Sequence, residues 1–429
     1  MKNKTQNVFF NRNFRLVFLG ALVSELGALM FSFAVSFYIL KISNNNPVLQ
    51  GVYLALCGVA MLISTPVGGV LGDRFNKVKI MYLCDYAKGG LIVLTAALML
   101  LLPGSKAQIA ILFVEGILGS IISGIFSPAA EALPPHILND EKLQQANSYI
   151  FLKSSMESIL GVVLAGILYA ALPICTLFFC VGGCYILSGV SEMFIRYEHV
   201  PAQNSLTVKN ALNDMKEGFI YVKTQPAILA LLVSILFVNL FVAPMTSNFM
   251  PYFVSTDFNG RYLFDKLLTP ELWSSVIEVF LALGSLVGAA ILSGAEQQDK
   301  CGPALTRRLC VTAGILLCMA LAYWLLVGLN GLLNVFLPLF CAGSILFGFM
   351  LSYVNVPVST MLMRVVDKDK LSKVSSIMSV GSQGMTPLSS VLAGIVLGAA
   401  GSSVLLISCA LGFAAVALIM LFNKSIKEL

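Results

Sequence analysis

The stretch Gly68-Gly69-Val70-Leu71-Gly72-Asp73-Arg74-Phe75-Asn76-Lys77 decides the fold. It stands between two long apolar runs, 48–72 and 78–102, so that a short charged turn joins two hydrophobic segments. Its glycines allow helix ends to approach closely, and its charged residues form a cluster of the kind found where helices leave a membrane. The stretch therefore predicts a tight turn between two helices at a membrane surface.

The composition of the whole chain points the same way. The 429 residues include 27 Lys and Arg and 21 Asp and Glu, so that only 11% are charged, whereas 58% are hydrophobic. An average soluble domain carries roughly 25% charged residues. A water-soluble protein of this size would need a larger charged surface. This composition excludes soluble enzymes, nucleic-acid binders and disordered scaffolds, and it predicts a polytopic membrane protein.

The apolar runs are long enough to be counted as membrane spans. A helix needs roughly 20 mostly apolar residues to cross about 30 Å of hydrocarbon. The sequence predicts twelve spans, near 15–40, 48–72, 78–102, 107–130, 149–171, 174–195, 227–254, 271–294, 305–328, 333–358, 374–398 and 401–422. The central polar loop 196–226 divides them six and six, which predicts one bundle over 1–195 and a second over 227–429.

The distribution of Lys and Arg predicts the orientation. If the N-terminus is cytoplasmic, 22 of the 27 basic residues fall in cytoplasmic segments, four fall outside and one, Lys88, falls within a span. Cytoplasmic loops of membrane proteins carry such an excess of basic residues. We therefore predict an all-α, multi-pass protein of the cell membrane, with twelve helices in two six-helix bundles and both termini cytoplasmic.

The quoted stretch resembles the G-x-L-x-D-R-x-G-R/K signature of the major facilitator superfamily. Gly69, Asp73, Arg74 and Lys77 match this signature. Asn76 stands where a Gly is usual, and we attribute this departure to the tolerance of Asn for positive φ. The alternative interpretation is an ordinary basic loop that happens to contain glycines.

Other segments are similar to the macrolide-efflux-like branch of that superfamily, namely 127–135, 216–226 and 355–357. The resemblance covers essentially residues 10–422 and implies the major facilitator fold. It also implies that the first, fourth, seventh and tenth helices line a central cavity.

Two positions depart from the patterns of many exporters in the family. The fifth helix has Gly161 and Gly166 at the ends of a Gly-Pro-x-x-x-Gly pattern, but Val162 replaces the proline. The fourth helix lacks the usual basic residue and instead has an acid, Glu115. The usual proton relay of the family therefore cannot be transferred to this chain unchanged.

Six charged residues fall within predicted spans, where each costs at least about 2.5 kcal/mol on insertion scales. They are Glu25, Asp85, Lys88, Glu115, Glu157 and Glu278. We expect Glu25 first, and Glu115 second, to exchange a proton for a cationic substrate. The alternative is that these acids form hydrogen bonds to neighbouring helices and are only structural.

The remaining charges occur in pairs with helical spacing. Asp85 and Lys88 share a face of the third helix, and we interpret them as part of a cytoplasmic gate with the signature residues. Lys153 and Glu157 are four residues apart in the fifth helix, and we interpret them as structural or gating residues. For each pair, local neutralisation without a gating role is the alternative.

Further residues predict the lining of the cavity. Asn239 and Asn248 lie on the proline-containing seventh helix, which we expect to bend. Phe31 and Tyr38 on the first helix and Tyr353 on the tenth could contact an amphipathic molecule.

Together these features predict a secondary active transporter that exports amphipathic or cationic small molecules, of the drug or macrolide type, by proton antiport. The chain lacks a phosphate-binding G-x-x-x-x-G-K-[ST] loop, and we expect neither enzymatic activity, nor a cofactor, nor a bound metal. Its partners are then an amphipathic substrate, protons and the lipid bilayer, without nucleic acid, and the protein is a monomer. Two alternatives are a lysophospholipid or lipid-intermediate flippase of the same fold and a non-transporting membrane receptor or sensor.

Overall fold

The computed structural model describes residues 8–138, 140–197, 216, 219–258, 262–265, 268–293, 302–329, 331–366 and 371–422. Within these ranges the side chains of some helical residues, among them Asp73, lie outside the description. No strand occurs in the described part of the chain.

The helices follow one another through short connections. In chain order they are α1 (Arg12–Ile42), α2 (Pro47–Arg74), α3 (Lys77–Leu101), α4 (Ser105–Glu131), α5 (Pro134–Ile137), α6 (Asp140–Met156), α7 (Val162–Ala171), α8 (Ile174–Met193), α9 (Pro226–Pro244), α10 (Met250–Asp257), α11 (Pro270–Ser293), α12 (Gly302–Tyr323), α13 (Leu333–Val365) and α14 (Leu371–Phe422). A 3₁₀ turn, Val8–Phe10, precedes α1.

Among the described residues, eleven helices are long and apolar enough to cross a membrane. The last of them, Gly384–Phe422, is 39 residues long because it joins the second part of the predicted span 374–398 to the whole of the predicted span 401–422. Gly401 interrupts it with φ 78° and ψ −178°, a conformation that glycine adopts without steric cost. The predicted eleventh and twelfth spans therefore meet at Gly401, and the predicted all-α membrane fold is confirmed.

Within the described ranges, three π-helical turns interrupt the spans. They are Glu157–Gly161 between α6 and α7, Met245–Phe249 between α9 and α10, and Trp324–Leu329 after α12. Such turns are rare in helices and are frequent at functional sites. The first two coincide with the fifth and seventh spans, from which the sequence predicts functional residues.

The contact pattern divides the chain into two compact units. One consists of Met1–Tyr38 and Leu56–Ala211, and the other of Ile39–Ala55 and Leu212–Leu429. The segment Ile39–Ala55, which the sequence-based division places in the first bundle, thus belongs to the second unit.

Close backbone contact joins α2 and α4 in the first unit. A Cβ atom at Gly68 would lie 2.5 Å from the carbonyl oxygen of Gly124 and 2.7 Å from the Cα of Ile125. Small residues of this kind let two membrane helices approach closely, since packing rather than hydrophobic burial holds such helices together.

Serine hydroxyls join α11 and α13 in the second unit. Ser285 Oγ donates to the carbonyl oxygen of Gly348 at 3.0 Å, and Ser352 Oγ donates to that of Ser285 at 2.7 Å. Interhelical hydrogen bonds of this kind stabilise membrane helix pairs.

Candidate functional site

The first unit contains a cavity of about 240 Å³. Its charged lining comes from Glu25 on α1, from Asp85 and Lys88 on α3 and from Glu131 at the end of α4, and its other polar lining includes Ser123 on α4 and Tyr185 on α8. Apolar side chains that include Met61 of α2 and Phe126 of α4 complete the wall. The cavity is therefore apolar for much of its surface and has acidic and basic groups in the same wall.

Glu25 is the carboxyl group of this cavity that is bound to a lysine. Lys153 Nζ lies 2.6 Å from Glu25 Oε1 and 3.5 Å from Glu157 Oε1. The side chain of Glu25 is 42% exposed, whereas those of Lys153 and Glu157 are 10% and 9% exposed. One lysine thus has two carboxylate partners, of which only Glu25 faces the cavity.

The π-helical turn Glu157–Gly161 places Glu157 beside Lys153. The turn stands directly before Val162, the position where the family pattern has a proline. The helix irregularity that a proline would cause is therefore present without a proline. At the end of the turn, a Cβ on Gly161 would lie 2.6 Å from Leu29 Cδ1 of α1, so this position accepts only glycine without displacement. Gly166 is buried in α7.

Lys88 and Asp85 do not form the ion pair that their spacing suggests. Lys88 Nζ donates to Ser123 Oγ at 2.5 Å and lies 5.0 Å from the ring centroid of Tyr185. Within the part of the chain that the structure describes, no carboxylate oxygen lies within 4.0 Å of this ammonium group. The lysine turns towards α4 and α8 instead of along its own helix, so its electrostatic interaction with Asp85 acts over more than 4.0 Å.

Three further acids of the first unit are buried and have no ion-pair partner among the described residues. Glu115 is 1% exposed, Asp85 is 3% exposed and Glu192 is 0% exposed. Asp85 Oδ2, Glu115 Oε2 and both carboxyl oxygens of Glu192 lack a hydrogen-bond partner in the described structure. Glu192 and Asp85 are close enough for their carboxyl groups to interact electrostatically.

The prediction of intramembrane charges missed Glu192. It lies at the end of α8, inside the predicted span 174–195, so a complete count of acids within the span boundaries would have found it. The sequence does not give the depth of Glu192 in the membrane, because an acid so close to a helix end is expected to reach water. The structure instead packs its side chain near Gly20 of α1, where a Cβ would lie 3.5 Å from Glu192 Cγ.

The signature stretch forms the turn between α2 and α3. Lys77 is buried and its Nζ donates to the carbonyl oxygen of Gly72 at 3.0 Å, which satisfies a free carbonyl at the end of α2. Gly69 has no atom within 4 Å of the position of a Cβ, so the close helix contact lies at the preceding glycine. Arg74 ends α2 and is exposed. The side chain of Asp73 lies outside the described residues.

The structure explains why an asparagine, Asn76, can stand where the family pattern has a glycine. Its φ of −63° and ψ of 115° are ordinary for any residue, and its side-chain oxygen accepts a hydrogen bond from Lys79 N. The residue is thus the N-cap of α3, a role for which Asn is among the preferred residues. The tolerance of Asn for positive φ is therefore not used at this position, because φ of Asn76 is negative.

The structure places the other predicted cavity residues in contacts between helices. Phe31 packs on Phe178 with ring centroids 4.8 Å apart. Tyr38 Oη donates to Gln108 Oε1 at 2.8 Å. Both pairs lie in the first unit and away from the cavity lining.

The corresponding residues of the second unit are also held by neighbouring atoms. Asn239 Nδ2 donates to the carbonyl oxygen of Ile235 in its own helix at 3.0 Å. Asn248 is fully buried and its Nδ2 donates to the carbonyl oxygen of Ser390 at 3.3 Å. The ring of Tyr353 faces the guanidinium group of Arg308 at 5.2 Å, in addition to stacking on Phe349.

Comparison with known proteins supports the transporter resemblance. The family model described as Major Facilitator Superfamily matches residues 17–337. The uncharacterized MFS-type transporter YvqJ of Bacillus subtilis (strain 168) is 24% identical over 402 residues, which cover 92% of this chain and 88% of that protein. Macrolide efflux protein A of Streptococcus pyogenes is 24% identical over 282 residues, 65% of each chain. The match spans about 65% of the length of macrolide efflux protein A, and about 65% of the length of a second curated relative, the MFS-type transporter YkuC of Bacillus subtilis (strain 168).

The fold is shared with solved transporter structures. That of a bacterial homologue of the iron transporter ferroportin, in the inward-facing state, has a TM-score of 0.71 and 16% sequence identity. The similarity covers 96% of this chain and 100% of that chain. At this identity the likeness shows a common fold and nothing of the cargo.

Proposed function

The chain belongs to the major facilitator superfamily, and on that premise we propose that it is a secondary active transporter that exports amphipathic or cationic small molecules in exchange for protons. The proposal places the protein in the cell membrane as a monomer with both termini in the cytoplasm, as the basic residues predict. Export rather than import is supported by the name of macrolide efflux protein A, which is 24% identical to this chain.

The observation that carries this proposal is the half-exposed Glu25 in the cavity, bound to a buried lysine that has a second carboxylate partner. If a proton or a substrate cation takes the place of Lys153 at Glu25, the lysine keeps Glu157 as its counter-ion. The exchange therefore does not leave a buried ammonium group unpaired, which would be costly in the membrane. Glu25 can thus alternate between partners with little change in the charge of its surroundings.

The charge balance of the first unit supports coupling to protons. The buried charged side chains of this unit, among the residues that the structure describes, are four acids (Asp85, Glu115, Glu157 and Glu192) and two lysines (Lys77 and Lys153). Carboxyl groups in excess over ammonium groups are stable in a low-dielectric interior only if some are neutral or meet a mobile cation. We assign the first coupling role to Glu25 and the second to Glu115, which is buried on α4.

Transport by purified protein in proteoliposomes tests the proposal. With an acidic lumen, wild-type protein should accumulate ethidium, a lipophilic cation, and the accumulation should collapse when a protonophore removes the pH gradient. Glu25→Gln should lose most of the gradient-dependent part. Glu278→Gln, which removes an acid from α11 in the second unit, is the matched control and should retain it.

The same assay separates the alternatives. Unchanged gradient dependence in Glu25→Gln would refute the coupling role of this residue. Gradient-independent movement of a fluorescent lysophospholipid, without ethidium flux, would favour the flippase. Absence of flux for every compound would favour a receptor or sensor.

A further inference from the structure

Lys88 lines the cavity, but it has no role in the proposed exchange of a proton for a simple cation. Its position, eleven residues after the start of α3, lies about 16 Å along the helix. An ammonium group has three donors. Ser123 takes one, and the ring of Tyr185 faces the group at 5.0 Å, while no described carboxylate pairs with it. Donor capacity of Lys88 therefore remains for a further acceptor in the cavity.

The cavity also has a group of opposite charge in its wall. Glu25 is the half-exposed partner of Lys153, and it lines the same cavity as Lys88. A purely cationic substrate would bind Glu25 but leave the remaining donors of Lys88 without an acceptor, so it should bind less tightly than a substrate that also has an anionic group. A purely anionic substrate would likewise use only one of the two groups, Lys88.

We propose that Lys88, together with Ser123 and Tyr185, binds an anionic oxygen group of the substrate while Glu25 binds its cationic group, so that the preferred substrate is an amphipathic zwitterion. The anionic group is a carboxylate or a phosphate, either of which an ammonium group binds through charge-assisted hydrogen bonds. The apolar part of the wall, with Met61 and Phe126, accepts the hydrophobic body. This inference rests on the proposed function, because it names the substrate class of the same transport site.

Binding to the purified full-length protein in detergent tests the inference separately from transport. Four probes of eight-carbon chain length differ in the head group: octyltrimethylammonium (cation), octanoate (anion, whose carboxyl carbon is the eighth), N-octylbetaine (carboxylate zwitterion) and octylphosphocholine (phosphate zwitterion). We expect at least one zwitterion to bind about tenfold more tightly than either single-charge probe, a difference of about 1.4 kcal/mol. The two zwitterions distinguish a free amino-acid-like substrate from a phospholipid head group.

The variants identify Lys88 as the cause of the preference. Lys88→Met should remove the tenfold preference while it leaves the Kd of the cation unchanged or lower, which also shows that the variant is folded. Lys88→Arg should preserve the preference. Lys79→Met, which removes an exposed lysine of the same helix outside the cavity, should leave all four values as in the wild type.

Three outcomes would overturn the inference. They are equal binding of the cation and both zwitterions, a preference for octanoate alone, and a zwitterion preference that survives in Lys88→Met. If the preference is found but proteoliposomes transport none of the four probes, the anion site stands and the proposed function fails. If ethidium is transported in exchange for protons without a zwitterion preference, the proposed function stands and the anion site fails.

Discussion

The glycine that holds α2 against α4 can be tested with two adjacent substitutions. Gly68→Ala places a methyl group 2.5 Å from the carbonyl oxygen of Gly124, where ordinary contact distances are 3.4–4 Å. The obstructing atoms belong to the backbone, so α2 must move by about 1 Å, and such overpacking costs about 1–3 kcal/mol. Gly69→Ala adds the same methyl group in open space, with no atom within 4 Å.

The comparison of the two variants removes the effect of helix propensity. Either change from Gly to Ala stabilises a helix interior by about 0.5–1 kcal/mol. The difference between the variants is therefore the overpacking cost, about 1–3 kcal/mol, with Gly69→Ala as stable as the wild type or more stable. For a unit of this size, 1 kcal/mol corresponds to about 2–4 °C in Tm.

Thermal unfolding of the purified variants in one detergent, at one heating rate, measures this difference. We expect Gly68→Ala to unfold several degrees below Gly69→Ala. Equal midpoints, or a lower midpoint for Gly69→Ala, would show that the helix contact at Gly68 does not control the packing of the first unit. The family signature contains Gly69, so this result would also favour the signature over the geometry.

Three further substitutions test other contacts by thermal unfolding. Asn76→Ala should lower the stability by about 1 kcal/mol, whereas Asn76→Ser should lower it by less, because serine can cap α3 and alanine cannot. Equal losses in the two variants would argue against the cap. Lys153→Met should destabilise the protein by up to about 3–5 kcal/mol, because it leaves a buried carboxylate without its counter-ion. Adding Glu157→Gln should restore part of this stability, since it replaces the buried carboxylate by a neutral amide. A double variant no more stable than Lys153→Met would contradict the pairing. Arg308→Met should cost about 0.5–1 kcal/mol, whereas Tyr353→Phe should be neutral, because the aromatic ring and not the hydroxyl group meets the guanidinium group; a larger effect of Tyr353→Phe would disprove this.

Much of the fold follows from the sequence by simple physical rules. Hydrocarbon thickness sets the length of each apolar run, so the spans and their number could be read from the chain. The join between the last two spans is at Gly401, the residue at which the predicted span 401–422 begins. The signature at Gly69–Lys77 identified the superfamily, which the match to residues 17–337 confirms.

The side-chain partners could not be predicted in the same way, because they depend on how helices rotate against one another. Helical spacing paired Lys88 with Asp85, yet the lysine bonds to Ser123, 35 residues away. The sequence likewise paired Lys153 with Glu157 but contained no signal for Glu25 as the closer partner. Glu25 itself was predictable, because its depth on α1 follows from the rise of a helix.

Placement in a cavity was the least predictable property. Asn248 lies in the π-helical turn Met245–Phe249, where it is fully buried and its amide donates to the carbonyl oxygen of Ser390. Hydropathy reports only that a polar side chain is within a span, and it does not distinguish a cavity wall from a contact with the next helix.

The π-helical turn at Glu157–Gly161 has a consequence for the evolution of this helix. A π-helical turn contains one residue more than an α-helical turn, and each residue of an α-helix rotates the following ones by about 100°. Loss of one residue from the turn would leave a regular α-helix of the same ends and packing, whereas loss of one residue elsewhere in the span would rotate all that follows. The fifth span is therefore a place where homologous chains can differ in length by one residue. An ungapped alignment of two such chains through Val162 would pair residues from different faces of the helix.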